Sequence, residues 1–161
     1  MRITSGEAAP STHTSPKVLT TAMQLHALLG SCAEPLLCVW ATADWCVPCK
    51  RLQPAWDSVA ADDGDAHDAF CGRVAFAVAD LTDEAAHSLD GESLSEVLRV
   101  ATLPTFFLLE SAGGGEVARA EGAAHKRPGK RLHAMLKRHL GQEELDSLSS
   151  SETGLQSPVC V

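Results

Sequence analysis

Cys46 and Cys49 stand two residues apart in Trp45-Cys46-Val47-Pro48-Cys49-Lys50, directly after an apolar run and at the start of a helical pattern. Thiols at this spacing serve either redox exchange or metal binding. Zinc needs four ligands. The sequence has no second Cys-x-x-Cys, and His67 and Cys71 would have to complete a site by chance, so no metal is expected. Of the other cysteines, Cys38 lies inside an apolar run and reads as a small core residue. Cys32 and Cys71 read as free thiols, open to oxidation, and Cys160 is second from the end, where the C-a-a-X prenylation pattern cannot form.

The composition sets limits on what such a pair could serve. The chain has 161 residues, 45% of them hydrophobic, and a net charge of −8. That fits one domain with ends to spare. The acidic balance speaks against nucleic acid as a partner, and no apolar run approaches the roughly 18 residues of a membrane span. Residues 1–16 carry Arg2 as their one base and have no apolar centre, so they do not read as a secretory signal. A reducing, cytoplasmic setting without structural disulfides is the expectation, with a mitochondrial presequence as the alternative.

The elements that must position the pair follow from periodicity. Val18 and Leu19 suggest a short edge strand. Thr20 or Thr21 can cap a helix whose apolar face is Ala22, Met23, Leu25, Leu28 and Leu29, ending at Gly30. Leu36 to Ala41 is apolar at every position, as in a strand buried on both faces. From Cys46 the spacing of Leu52, Trp56, Val59 and Ala60 is helical, with Pro54 expected to kink the helix. Arg73 to Asp80 reads as the next buried strand, giving a right-handed βαβ unit. After an acidic segment through Glu92, Ser93 or Ser95 caps a short helix to Val100. Thr105 to Glu110 and Glu116 to Glu121 form a hairpin around Gly113-Gly114-Gly115. Pro128 opens a last helix, which buries Leu132, Met135, Leu136 and Leu140 and ends at Gly141. Segments 1–16 and 142–161 read as a flexible lead and a disordered Ser- and Glu-rich tail around a domain at 17–141.

This order of elements, with its motifs, resembles the thioredoxin family over roughly residues 17–141. Trp45-Cys46-Val47-Pro48-Cys49-Lys50 is similar to the family's Trp-Cys-Gly-Pro-Cys-Lys. Pro54 sits where the family has its helix-kinking proline. Leu103-Pro104-Thr105-Phe106-Phe107 resembles the cis-proline loop and following strand. Gly115-Glu116-Val117 and Gly122-Ala123 resemble the hairpin turn and the glycine patch. The implied fold is α/β: a central mixed sheet of four to five strands with helices on both faces. Three features depart from the pattern. Val47 replaces glycine. Trp40 stands six residues before Cys46, where typical members have a buried aspartate, and Phe76 takes the place of the lysine that bacterial members pair with it. The 62–71 and 81–92 segments are long.

The resemblance implies a redox-active Cys46–Cys49 disulfide, with Cys46 as nucleophile and Cys49 as resolving thiol. Cys46 at the helix N-cap would face unsatisfied N–H groups, which favour its thiolate. Trp45, Val47, Pro48, Leu103, cis Pro104, Gly122 and Ala123 would shape the surface that meets a partner. The expected function is protein disulfide reduction by a monomer without a cofactor. Its partners would be disulfide-containing proteins and a flavoprotein reductase or other dithiol donor. Two alternatives are an oxidase or isomerase of the same fold and a thioredoxin-like adaptor that binds partners with little turnover.

Overall fold

Three runs of apolar and β-branched residues become the middle of the sheet. In the computed structural model, which describes residues 16–60, 72–87, 91–122 and 130–140, strands β1 (Lys17–Leu19), β2 (Leu36–Thr42), β3 (Val74–Asp80), β4 (Thr105–Glu110) and β5 (Glu116–Glu121) form one sheet. Their order is β1-β3-β2-β4-β5. β3 runs parallel to β1 and β2, whereas β4 is antiparallel to both β2 and β5. The sheet is therefore mixed and five-stranded, at the upper end of the expected range, and β1 is the expected edge strand.

Alternate residues of β2 feed two separate cores. Leu36, Cys38 and Trp40 face one, with Cys49, Leu52, Trp56 and Val59 of helix α2 (Val47–Ala60). Leu37, Val39 and Ala41 face the other, with Leu25 of helix α1 (Ala22–Ser31). Two short helices follow β3: α3 (Glu84–His87) and α4 (Leu94–Leu98). Leu94 and Leu98 join the second core, while Leu132, Met135, Leu136 and Leu140 of helix α5, at 130–140, close the first as expected.

Capping boxes explain where α1 and α4 begin. Thr21 is the N-cap of α1: its hydroxyl accepts the Gln24 N–H at 3.2 Å and the Gln24 amide returns to the Thr21 N–H at 3.3 Å. Ser93 and Glu96 make the same reciprocal box on α4. Gly114, at φ +67°, turns the β4–β5 hairpin with Leu29 Cδ1 3.3 Å from where a Cβ would stand. Several boundaries and faces differ from expectation. α1 runs one residue past Gly30, to Ser31. Met23 lies on its solvent face, 79% exposed, because the buried stripe is centred on Leu25. The acidic segment contains α3, and α4 stops at Leu98 because Arg99 takes a left-handed conformation at φ 51°. Ala123, Pro128, Gly141, Cys71, Cys160, the 62–71 loop and the segments 1–15 and 142–161 lie outside the described residues.

Arg119 on β5 secures the end of α4. Its guanidinium lies 4.9 Å from the Phe107 ring centroid and forks onto Glu116 at 2.7 and 2.6 Å. It also reaches Glu121 at 3.1 Å and donates to the Arg99 and Leu98 carbonyls at 3.0 and 3.3 Å. That planar fork has no lysine equivalent. Arg119→Lys is therefore expected to cost about 1 kcal/mol in urea denaturation at neutral pH. The Arg119 guanidinium holds the Glu116 carboxyl below its ordinary range. A lowered folded-state pKa contributes stability above the unfolded carboxylate pKa and loses it as pH falls through the folded value. The stability gap between wild type and Glu116→Gln should accordingly be present at pH 7 and shrink below about pH 4. A gap that grows on acidification would contradict the pairing.

Candidate active site

The end of β2 delivers the cysteine pair. β2 is paired through Thr42, after which Ala43 to Trp45 form a turn closed by the Cys46 N–H to the Ala43 carbonyl at 3.0 Å. α2 begins at Val47, so Cys46 occupies the N-cap position, and its carbonyl accepts the Lys50 N–H at 3.3 Å. Pro48 fixes φ early in the helix and removes a donor that would have no partner there. Pro54 lies inside α2 and has no N–H to offer the Lys50 carbonyl.

Cys46 and Cys49 are joined as a disulfide with their Cα atoms 5.3 Å apart. The Cys49 N–H points at the Cys46 sulfur, 3.3 Å away. An unpaired N–H at a helix start carries partial positive charge, so a thiolate at Cys46 would be stabilised there. Both cysteines are buried, Cys46 at 5% exposure and Cys49 at 1%. Their rim is not: Trp45 is 67% and Val47 57% exposed, and Pro48 and Lys50 also face solvent.

The predicted proline loop arrives beside this pair through the sheet register. Ala41 pairs with Thr105, so the start of β4 lies next to the end of β2. The Leu103–Pro104 peptide is cis, as the resemblance implied, and Leu103 packs against the core that holds both cysteines. The Pro104 carbonyl accepts the Gly122 N–H at 2.8 Å, which draws Gly122, at φ 74°, to the same end of the sheet. The Thr105 hydroxyl, buried, donates to the Thr102 carbonyl at 2.6 Å and holds the loop from within.

Beneath the pair the side chains are aromatic. Trp40 is 1% exposed and lies 5.4 Å from Trp56 and 6.3 Å from Phe106, centroid to centroid. Phe76 meets Trp56 edge-on at 5.8 Å rather than stacking on Trp40; its strand partner is Cys38. Trp40 and Phe76 thus share packing through Trp56, a contact that sequence comparison of two positions does not reveal. Trp40 Nε1 is buried with no hydrogen-bond partner among the described residues, at a cost of about 1–3 kcal/mol. Each ring pair returns about 0.5–1.5 kcal/mol beyond its buried area.

The family model for thioredoxin matches residues 18–138. The chain belongs to the thioredoxin family. Its fold also matches solved thioredoxins of low sequence identity. Mitochondrial thioredoxin 3 of Saccharomyces cerevisiae, in its oxidised form, is 23% identical over 77% of this chain and 95% of that one, with TM-score 0.55. Thioredoxin of Trypanosoma brucei brucei is 23% identical over 81% and 99%, with TM-score 0.53. The structure of a ferredoxin:thioredoxin reductase and thioredoxin f2 complex supplies a match 15% identical over 80% and 97%, with TM-score 0.58. A search of curated protein sequences finds no significant match. Family, fold and paired cysteines together make this a thiol–disulfide oxidoreductase.

Two further thiols lie apart from the pair. Burial pushes the Cys38 thiol far up, and desolvation also raises Cys32, whose sulfur donates to Glu34 Oε2 at 3.3 Å. Among the described thiols of the reduced protein, iodoacetamide near pH 7.5 should label Cys46 first. Cys38 should react only after unfolding. Peptide mass spectrometry over time checks this order, and rapid Cys38 labelling in the folded protein would contradict it.

Proposed function

We propose that the protein reduces disulfides in other proteins through a Cys46/Cys49 cycle. The Cys46 thiolate attacks a substrate disulfide, forming one mixed S–S bond and expelling one substrate thiolate, which takes up a proton. The Cys49 thiolate then attacks the Cys46 sulfur, and the second substrate thiol leaves. Two electrons have passed to the substrate, and the chain is left with the Cys46–Cys49 disulfide. A flavoprotein reductase or another dithiol carrier returns it to the dithiol.

The observation that carries this reading is the Cys49 N–H on the Cys46 sulfur at 3.3 Å. It favours the thiolate at Cys46, and each unit of pKa lowering corresponds to about 1.4 kcal/mol. The exposed Trp45 and Val47, with Leu103 and Gly122 behind them, offer an apolar rim to a partner chain. Gly122 is small enough to let a backbone approach, and the cis Leu103–Pro104 segment offers backbone groups to an extended substrate strand. Thioredoxin f2 in complex with ferredoxin:thioredoxin reductase supports a reductase as electron donor without choosing its class. The unpaired thiols Cys32 and Cys38 suit a reducing compartment.

One observation favours a slower second step. Among the described residues the buried polar side chains are Thr105 and Ser111, and neither is a carboxylate that could deprotonate Cys49. The mixed disulfide should therefore persist longer than in a thioredoxin with a buried aspartate. The partner-binding reading draws on the same feature.

The test is dithiol-driven reduction of a protein disulfide by wild type, Cys46→Ser and Cys49→Ser. Wild type should turn over, Cys46→Ser should be inactive, and Cys49→Ser should trap substrates as mixed disulfides. An inactive wild type would overturn the reductase reading and leave the adaptor.

A further inference from the structure

The turn before Cys46 is held from outside its own strand. The β2–β3 ladder pairs Thr42 with Asp80 and adds one backbone bond beyond it, from the Leu81 N–H to the Thr42 carbonyl at 2.9 Å. There the two backbones part, and a side chain supplies the next link. The Asp44 N–H donates to Thr82 Oγ1 at 2.9 Å, and the Thr82 hydroxyl donates to Asp80 Oδ1 at 2.5 Å. The same Asp80 oxygen accepts the Thr82 N–H at 3.0 Å.

The direction of these bonds is fixed by the inventory. A threonine hydroxyl has one proton. Asp44 N–H can only donate, so Thr82 Oγ1 accepts from it and sends its own proton to the Asp80 carboxylate. A hydroxyl that donates to an ionised group is a charge-assisted donor, and such bonds polarise their neighbours. Residues 38 apart in sequence are thereby joined, and the clasped residue lies one turn bond from Cys46, through the Cys46 N–H and the Ala43 carbonyl.

We propose that Thr82 is a positioning residue: held by Asp80, its hydroxyl fixes the Ala43–Trp45 turn so that the Cys46 sulfur stays on the Cys49 N–H and Trp45 stays on the rim. The inference rests on the thiol–disulfide cycle proposed above and adds what orients its nucleophile. The clasp acts through the turn and touches neither sulfur. Losing it leaves α2 and the sheet intact but loosens the angle at which Cys46 enters the helix. A charge–dipole contact depends steeply on that angle, and the reduced state, with its sulfur no longer bonded to Cys49, depends on it more than the disulfide does.

The experiment measures the pH dependence of Cys46 alkylation in the full-length reduced protein, read from the Cys46 peptide by mass spectrometry. Wild type is compared with Thr82→Val, Thr82→Ala and Thr82→Ser, and far-UV circular dichroism confirms folding. Thr82→Val and Thr82→Ala should raise the Cys46 pKa and slow alkylation near neutral pH by about 3- to 10-fold, one unit being tenfold in thiolate. Thr82→Ser, which keeps the hydroxyl, should retain the wild-type profile. Unchanged profiles in Thr82→Val and Thr82→Ala overturn the inference alone, and so does a Thr82→Ser profile that follows Thr82→Val. An ordinary thiol pKa at wild-type Cys46 overturns the redox reading and the inference with it.

Discussion

Strand β2 is hydrogen-bonded on both edges, to β3 in parallel and to β4 in antiparallel register, and six of its seven residues are buried. A strand so enclosed has no freedom of register. A shift by one residue would exchange Leu36, Cys38 and Trp40 with Leu37, Val39 and Ala41 and turn each set into the wrong core. Because Cys46 follows the end of this strand by four residues, the fixed register of β2 fixes where the cysteine pair emerges. β4 inherits the same constraint: pairing of Ala41 with Thr105 sets the cis-proline loop beside that end, and the Gly122–Pro104 bond brings the end of β5 after it. The site is the common edge of three strands that cannot slide.

The core beneath it is built on different physics from that of an ordinary family member. A buried acid would carry a large desolvation cost unless paired. Here the cost is small and of another kind, one unpaired indole N–H set against ring contacts among Trp40, Trp56, Phe76 and Phe106. Such a core changes little with pH in the physiological range, since none of these rings titrates. Among the described residues the buried polar side chains are Thr105 and Ser111 and no carboxylate is buried, so the stability of this core rests on aromatic packing instead of a paired acid.

Much of this was legible from residue order. The unbroken apolar run at 36–41 reads as a strand covered on both faces, and the spacing from Leu52 to Val59 reads as one face of a helix; both elements form there. The cysteine roles came from a resemblance, and so did the cis peptide, which no periodicity encodes. Met23 was misplaced because an apolar residue next to a helical stripe looks the same as one within it. The turn residues of the acidic segment hid α3, whose four residues are too few for periodicity to register. The Thr82–Asp44 link was invisible for a different reason. Its partners are 38 residues apart and become neighbours only once β2 and β3 are paired. Short-range pattern finds elements, whereas contacts between element ends need the topology.

Val47 is the departure whose position constrains its effect most. It is the first residue of α2, and its side chain is 57% exposed beside Cys46. An exposed β-branched residue adds little to core energy, so replacing the usual glycine does not act through the packing around Trp40 and Trp56. It acts in two other ways. It stiffens the backbone between the cysteines, because a branched side chain forbids conformations that glycine allows. It also leaves an exposed apolar side chain immediately after Cys46, as Trp45 does immediately before it. Both effects fall on the rim and leave the aromatic core as it is.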